Sequence, residues 1–208
     1  MPRPRTDIEP RLLTAARARF LKDGVDGASL RAIARDAGSN LGMLYYYFPS
    51  KDDLFFAVVE EVYGALLADL TEALGPGSFE ERLARLYRRF AATSDHELEV
   101  VKLIMREVIG GSPRLGRLVE RFQRGHLPLV IGTLLDGKRA GAVRDDLPPP
   151  VALLLTFAIG ALPQIVRRSA GDLPPFSQLP PPAQLADLLV AAFLRAVSPS
   201  SDGSGRGG

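Results

Sequence analysis

The sequence predicts an all-α protein in which a small N-terminal domain of three helices, residues 6–66, precedes a larger helical domain, residues 76–197. Apolar residues recur at the three- and four-residue spacing of amphipathic helices, and no stretch shows the alternation typical of a strand. Gly and Pro separate the predicted helices, and serines stand at positions suited to N-caps. The length of 208 residues suits one globular unit or a small domain with a larger one.

The first two helices are predicted from their end signals. Thr6 and Glu9 have the spacing of a capping box, so the first helix should begin there and run to residue 23. Gly24 follows, where a left-handed residue ends a helix. Ser29 is a suitable N-cap for the second helix, which ends at a turn containing Gly38.

A third short helix is predicted at about residues 40–48, ending before Pro49. Ser50 should cap a fourth helix that continues to residue 74. The two short helices, residues 29–48, are joined by a turn with glycine, which is the helix-turn-helix pattern. In that pattern the second short helix lies in the major groove of DNA.

Three consecutive tyrosines occupy the third helix. Successive helical side chains point about 100° apart, so the three rings cannot all face the core. Leu44 and Phe48 mark the buried side, which leaves Tyr46 pointing outward near the bare Gly42. Tyr45 and Tyr47 flank the buried stripe and either cover the core or reach outward, and Leu41 is equally open between core and groove.

Composition and charge restrict the function further. There are no cysteines, and His96 and His126 have no acidic cluster around them, so we expect neither a metal nor another cofactor. Residues 1–51 hold nine basic and five acidic residues, a net charge of +4, which favours a polyanion partner. The N-terminus lacks a signal-peptide core, and the longest apolar run, residues 151–163, is shorter than a membrane span of about 18 residues. We therefore expect a cytoplasmic protein outside the membrane.

The segment SLRAIARDAGSNLGMLYYYFPSKDDLF, residues 29–55, resembles the DNA-binding signature of TetR-type transcriptional regulators. The resemblance covers residues 6–66 closely, and beyond them only the helical character and the length agree. It implies a DNA-contacting surface formed by residues Ser39, Asn40, Leu41, Gly42, Met43, Tyr45, Tyr46, Tyr47 and Lys51. Two departures from the family pattern, Asn40 and Tyr47, bear on the DNA sequence that is read.

Basic and polar side chains near this surface are further candidates. Lys51 is a lone cation at a helix start and should meet a phosphate, unless it is an ordinary surface lysine. Ser29, Arg31 and Arg35 lie at or on the second helix, where they could hold the flanking DNA backbone or simply face solvent. Arg3 and Arg5 could reach DNA as an arm.

The larger domain is predicted to mediate dimerisation. Two helices, at residues 150–170 and 182–197, follow a proline-rich connector, and the first is apolar around most of its circumference. Such a helix is buried on more than one side, either in its own subunit or against a partner. The resemblance implies a homodimer built from these two helices. Residues 198–208 are of low complexity and are expected to be a disordered tail.

The resemblance also implies a pocket for a small, often hydrophobic effector in the larger domain. The candidate lining residues are Tyr87, Phe90, Met105, Ile109, Phe122, His126 and Phe157, each of which is otherwise an ordinary core residue. Together these features predict a homodimeric, ligand-responsive DNA-binding regulator, most simply a repressor at a palindromic operator. An enzyme with an accessory helical domain is the alternative from another class, but the sequence lacks a nucleotide loop, a nucleophile elbow and a metal spacing. A helix-turn-helix reused for protein contact is a second alternative.

Overall fold

The computed structural model describes residues 7–199, and the predicted all-α fold is confirmed because this range contains helices and no strand. The α-helices, in chain order, are α1 Ile8–Gly27, α2 Leu30–Asp36, α3 Leu41–Tyr47, α4 Lys51–Ala73, α5 Phe79–Ala91, α6 Asp95–Ile109, α7 Leu115–Gln123, α8 His126–Arg139, α9 Pro149–Gly160, α10 Leu162–Ala170 and α11 Pro182–Val197. The predicted cap at Thr6, the Arg3 and Arg5 arm, and tail residues 200–208 lie outside the described range.

The described chain forms two compact units whose boundaries differ from the predicted domains. Unit 1 contains residues 7–66 and 94–119, and unit 2 contains residues 67–93 and 120–199. The sequence predicted one continuous domain over residues 76–197, whereas α6 belongs to unit 1. The physical reason is that α6 packs on α1, a contact between residues distant in sequence.

Unit 1 is built around a fully buried apolar core. Leu12 and Phe20 of α1, Ile33 of α2, Leu44 of α3 and Phe55 of α4 are all completely buried. The rings of Phe20 and Phe55 meet edge to face, with centroids 6.2 Å apart. The helical periodicity of the sequence thus identified the inner faces of these helices.

The end signals of unit 1 act as predicted with one difference. Ser29 Oγ accepts the Ala32 N–H at 3.4 Å, and Ser50 Oγ accepts the Asp53 N–H at 3.0 Å. Gly24 has a φ of 75°, as expected of a helix terminator. The helical segment nevertheless resumes after Gly24 and reaches Gly27, so the predicted end at residue 23 is a kink.

Unit 2 has its own core, in which α11 packs on α5 and α9. Tyr87 and Phe193 are completely buried, and their rings meet with centroids 6.0 Å apart. Helices α7 and α8 are separated by residues 124–125, and Pro128 lies inside α8. Pro128 is tolerated because it stands in the first turn of α8, where its missing N–H has no helical partner to lose.

The apolar segment Pro149–Ala170 is longer than the uninterrupted apolar run at residues 151–163. By length and composition alone it could cross a membrane, and only 22% of its most apolar 18 residues is buried. It is divided at Ala161 into α9 and α10, and Arg167 and Arg168 stand in the last turn of α10. Leu154 and Leu162 are its most exposed large apolar side chains, at 69% and 50%.

Close packing of α8 on α5 in unit 2 leads to a stability prediction. A Cβ at Gly137 would lie 2.7 Å from the nearest ring carbon of buried Phe79. We expect Gly137→Ala to lower the free energy of unfolding by about 1–3 kcal/mol through overpacking. Gly132 lies in the same helix, and a Cβ there would meet nothing within 4 Å. Gly132→Ala should therefore raise stability by up to about 1 kcal/mol. Thermal unfolding of both variants tests this, and shifts of the same sign would contradict it.

Candidate nucleic-acid interface

The turn between α2 and α3 presents α3 in a fixed orientation. Gly38 adopts a φ of 62°, which favours glycine, and the Ser39 N–H donates to the Ala34 carbonyl at 2.9 Å. Asn40 then caps α3, since its Oδ1 accepts the Met43 N–H at 2.9 Å. Asn40 thus has a structural role in this chain.

The two sides of α3 differ as the helical wheel predicts. Leu44 and Phe48 are buried, whereas the Tyr46 side chain is 78% exposed and Tyr45 is 48% exposed. Tyr47 is half-buried, and its ring meets the ring of Tyr46 edge to face with centroids 5.3 Å apart. We call the exposed side of α3, which carries Tyr45, Tyr46 and Gly42, the tyrosine face.

The other candidate residues lie at the surface to different degrees. Exposed residues are Ser29, Arg31, Asn40 and Gly42, and half-buried residues are Ser39, Leu41, Met43 and Lys51. A Cβ at Gly42 would come within 3.3 Å of the capping oxygen of Asn40, so glycine also protects the cap. Arg35 is exposed as well, with its Nε 3.6 Å from Asp36.

Lys51 has a partner inside the protein. Its Nζ donates to the Asp26 carbonyl at 2.8 Å, which joins the segment before α2 to the start of α4. The sequence suggested a lysine free to meet a phosphate, and it gave no sign of this bond because the two residues are separated by α2 and α3. An ammonium group has three donors, so Lys51 can still donate to another acceptor.

Arg114 binds residues on both sides of the helix-turn-helix, and this role was not predicted from the sequence. Its guanidinium, whose side chain is only 4% exposed, donates to Glu107 at 2.6 Å and to Asp26 and Asp52 at 3.0 Å each. Asp26 precedes α2 and Asp52 lies in the first turn of α4, so one side chain holds both ends of the motif. No sequence signal marks Arg114, because its partners are far away in the chain.

Arg114 and Asp26 stabilise each other's ionised forms. Burial lowers the pKa of the Arg114 guanidinium, but its hydrogen bonds to Asp26, Glu107 and Asp52 outweigh burial and raise that pKa overall. The hydrogen bond from Arg114 lowers the pKa of the Asp26 carboxyl. Arg114 and Asp26 are therefore both ionised around neutral pH.

The predicted effector-binding residues separate into two groups. Met105 and Ile109 belong to α6 of unit 1 and are 40% and 79% exposed, whereas the other five belong to unit 2. Ile109 is the last residue of α6, where the helix ends before two glycines, and this explains its exposure.

The other five candidates adjoin one another in unit 2, together with one residue that the sequence analysis assigned to the dimer helices. Consecutive ring centroids lie 4.9–6.0 Å apart. We call this set the ring cluster, and its members in order of contact are Phe122, His126, Phe157, Phe90, Tyr87 and Phe193.

Two polar groups lie within the ring cluster. Burial, and secondarily the charge of Arg121, lowers the pKa of His126 to about 4, so the imidazole is neutral at pH 7. Burial also raises the pKa of the Tyr87 phenol far above its usual value. The Tyr87 hydroxyl is buried and has no hydrogen-bond partner.

A small helical domain with an exposed second short helix is the architecture of helix-turn-helix DNA-binding proteins. Residues 12–58 match the family model of the bacterial regulatory proteins of the tetR family. The chain is 28% identical over 166 residues to the HTH-type transcriptional repressor SCO4008 of Streptomyces coelicolor, which covers 77% of this chain and 82% of the relative. It is 23% identical over 149 residues to the fatty acid metabolism regulator protein of Bacillus subtilis, covering 70% and 76%.

Solved structures agree in fold along most of the chain. The transcriptional regulator FadR from Bacillus subtilis, in complex with stearoyl-CoA, matches with a TM-score of 0.68 and 18% identity, covering 90% of this chain and 98% of that one. The haemolysin II regulator HlyIIR matches with a TM-score of 0.68 and 21% identity, covering 95% and 100%. Residues 12–58 therefore carry the DNA-binding domain of the tetR family, and the chain is similar to transcriptional regulators along most of its length.

The Arg114 cluster predicts a strong dependence of unit 1 on one side chain. Arg114→Ala should lower the free energy of unfolding by about 3 kcal/mol, because Glu107 is left buried without its partner. Arg124→Ala is the control, since Arg124 is 75% exposed and should cost less than about 1 kcal/mol. Denaturant unfolding measures both, and equal costs would mean that the cluster contributes little.

Proposed function

We propose that the protein is a ligand-responsive repressor that binds a palindromic DNA operator as a homodimer in the cytoplasm. The observation that carries the proposal is the tyrosine face: two large aromatic side chains are exposed on a helix whose orientation is fixed by a cap, a turn and a buried opposite side. Aromatic rings with hydroxyl tips suit contacts with phosphates and with thymine methyl groups. The relatives named as repressors and regulators support the role, and none of those named above is described as an enzyme.

DNA binding is proposed to use α3 as the recognition helix. Tyr45, Tyr46 and Met43 would read the major groove, and Gly42 would let the DNA backbone come close. Asn40 would contribute mainly through its cap, while Ser39, Leu41 and Tyr47 would line the edges of the contact. Ser29, Arg31 and Lys51 would meet phosphates, which set register and orientation.

Homodimerisation is proposed through the apolar surface of α9 and α11. Leu154 of α9 and Leu188 of α11 are 69% and 61% exposed, and the two helices are packed against each other. Val151 and Leu162 add to the exposed apolar side chains of this region. Exposed apolar patches of this kind mark interaction sites. Two chains paired here would carry two recognition helices, which suits an operator with two half-sites.

The effector is proposed to be a small, hydrophobic molecule bound at the ring cluster, by analogy with the relative solved with stearoyl-CoA. Its binding would favour a conformation in which the spacing of the two recognition helices no longer fits the operator. Helix α4 would transmit the change, because it follows the helix-turn-helix in the chain and its residues 67–73 belong to unit 2. The effector shifts this balance only by its difference in affinity for the two conformations.

Selection of bound duplexes from a random DNA library, at moderate salt, tests whether the protein binds a specific DNA sequence. The expected result is enrichment of a palindrome. On that sequence, Tyr46→Ala should weaken binding by about 1–3 kcal/mol through loss of a close contact. Tyr46→Phe removes only the hydroxyl, so it measures how much of the effect comes from the ring. Phe176 is an exposed aromatic residue in unit 2, and Phe176→Ala is the control that should leave the affinity unchanged. Absence of enrichment, or equal affinity for Tyr46→Ala and the unchanged protein, would contradict the proposed reading.

The dimer surface is tested by placing charges on it. The double variant Leu154→Glu/Leu188→Glu should be a folded monomer, because burying two carboxylates in an interface is costly. Leu173→Glu is the control, since Leu173 is 62% exposed but lies outside α9 and α11. Sedimentation velocity gives the mass of each species. A double variant that remains a dimer, or an unchanged protein that is a monomer, would refute the interface.

A further inference from the structure

The Tyr87 hydroxyl is an anomaly in the core of unit 2. Tyr87 is completely buried, and its hydroxyl is one of two buried side-chain polar atoms in the described residues that lack a hydrogen-bond partner. A buried unpaired hydroxyl costs about 1–3 kcal/mol, so native proteins rarely keep one without a reason. Phenylalanine would fill the same space without that cost.

The position of the Tyr87 ring is fixed by its surroundings. A Cβ at Gly160 of α9 would lie only 2.6 Å from the ring, so the glycine allows the helix backbone to pack on the aromatic face. Phe90 and Phe193 contact the ring from α5 and α11, each with centroids 6.0 Å away. The direction of the hydroxyl is therefore determined before anything binds, which lowers the entropy cost of using it.

The rest of the ring cluster leads from Tyr87 towards solvent. Phe90, Phe157, His126 and Phe122 are only half-buried, and they form a continuous series of ring contacts. An aromatic molecule bound among these rings would make the offset or edge-to-face contacts that aromatic pairs prefer. The cluster itself contains no carboxylate, ammonium or guanidinium group, so a charged molecule would lose its hydration there without a paired countercharge.

We infer that the ring cluster binds a flat, uncharged aromatic molecule that carries one hydrogen-bonding oxygen, and that the Tyr87 hydroxyl is the partner of this oxygen. The inference rests on the proposed function, since it names the class of the effector. It separates this chain from a regulator that reads an acyl-CoA, whose phosphates need several cations. Arg121 is close enough to the cluster for its charge to lower the pKa of His126, and it is a single cation.

The test uses three probes that share one ring system: naphthalene, 2-naphthol and 2-naphthoate. Calorimetric titration gives their affinities for the full chain and for Tyr87→Phe. The preference for 2-naphthol over naphthalene should fall about three- to tenfold in Tyr87→Phe, which is the effect of one hydrogen bond. Tyr63→Phe is the control, because Tyr63 is the other fully buried tyrosine and belongs to unit 1, so this preference should persist.

The free proteins supply a second measurement. Tyr87→Phe should unfold at the same temperature as the unchanged protein or a higher one, because the substitution removes a buried hydroxyl without a partner. A clear fall in the unfolding temperature would show that the hydroxyl is already bonded in the free protein, and it would overturn the inference.

Other outcomes separate the inference from the proposed function. Tightest binding of 2-naphthoate, equal preferences in the two proteins, or no binding of any probe would overturn the inference. The same probes are added to the complex with the selected operator DNA. Binding that depends on Tyr87 but leaves the complex intact would support the inference and refute ligand-responsive repression. Release of DNA without any dependence on Tyr87 would leave repression standing and refute the inference.

Discussion

The buried Arg114 cluster is the interaction on which the DNA-binding unit depends. One guanidinium holds Asp26 before α2 and Asp52 after α3, and it is itself held by buried Glu107 of α6. Lys51 joins the same two chain segments through the Asp26 carbonyl. A motif as short as α2 and α3 has little core of its own, so these bonds define where its ends lie. The orientation of α3 then follows from its cap and its buried side.

This arrangement explains why unit 1 extends beyond its N-terminal helices. Residues 94–119 carry both Glu107 and Arg114, and α6 packs on α1. Desolvating a guanidinium is costly, and the cost is met only when several carboxylates surround it. The segment and the helix-turn-helix therefore stabilise each other. A displacement of α6 would change the ion pairs at both ends of the motif, and the binding surface would change with them.

The sequence could predict features that depend on neighbours in the chain, and it could not predict those that depend on residues far apart in the chain. Tyr46 could be placed outside and Leu44 inside from helical periodicity alone, because both positions depend on neighbours within one turn. The role of Arg114 could not be predicted, because its partners are brought close only by the tertiary fold. The exposure of Ile109, a candidate effector-binding residue, could not be predicted for a related reason. Apolar character predicts burial in general, but the end of α6 leaves this side chain at the surface.

The two units differ in whether their buried polar side chains have hydrogen-bond partners. In unit 1 the donors of buried Arg114 meet three carboxylates, which makes one geometry strongly preferred. In unit 2 the hydroxyl of buried Tyr87 meets no partner. The free protein thus keeps an unfavourable term, which the proposed bound molecule would relieve. A molecule that relieves it gains affinity for the conformation that presents the hydroxyl, and this differential affinity is what a ligand needs in order to shift a conformational equilibrium. In the proposed function, the unit that would bind DNA has its buried arginine fully paired, and the unit that would bind the effector keeps one hydroxyl for it.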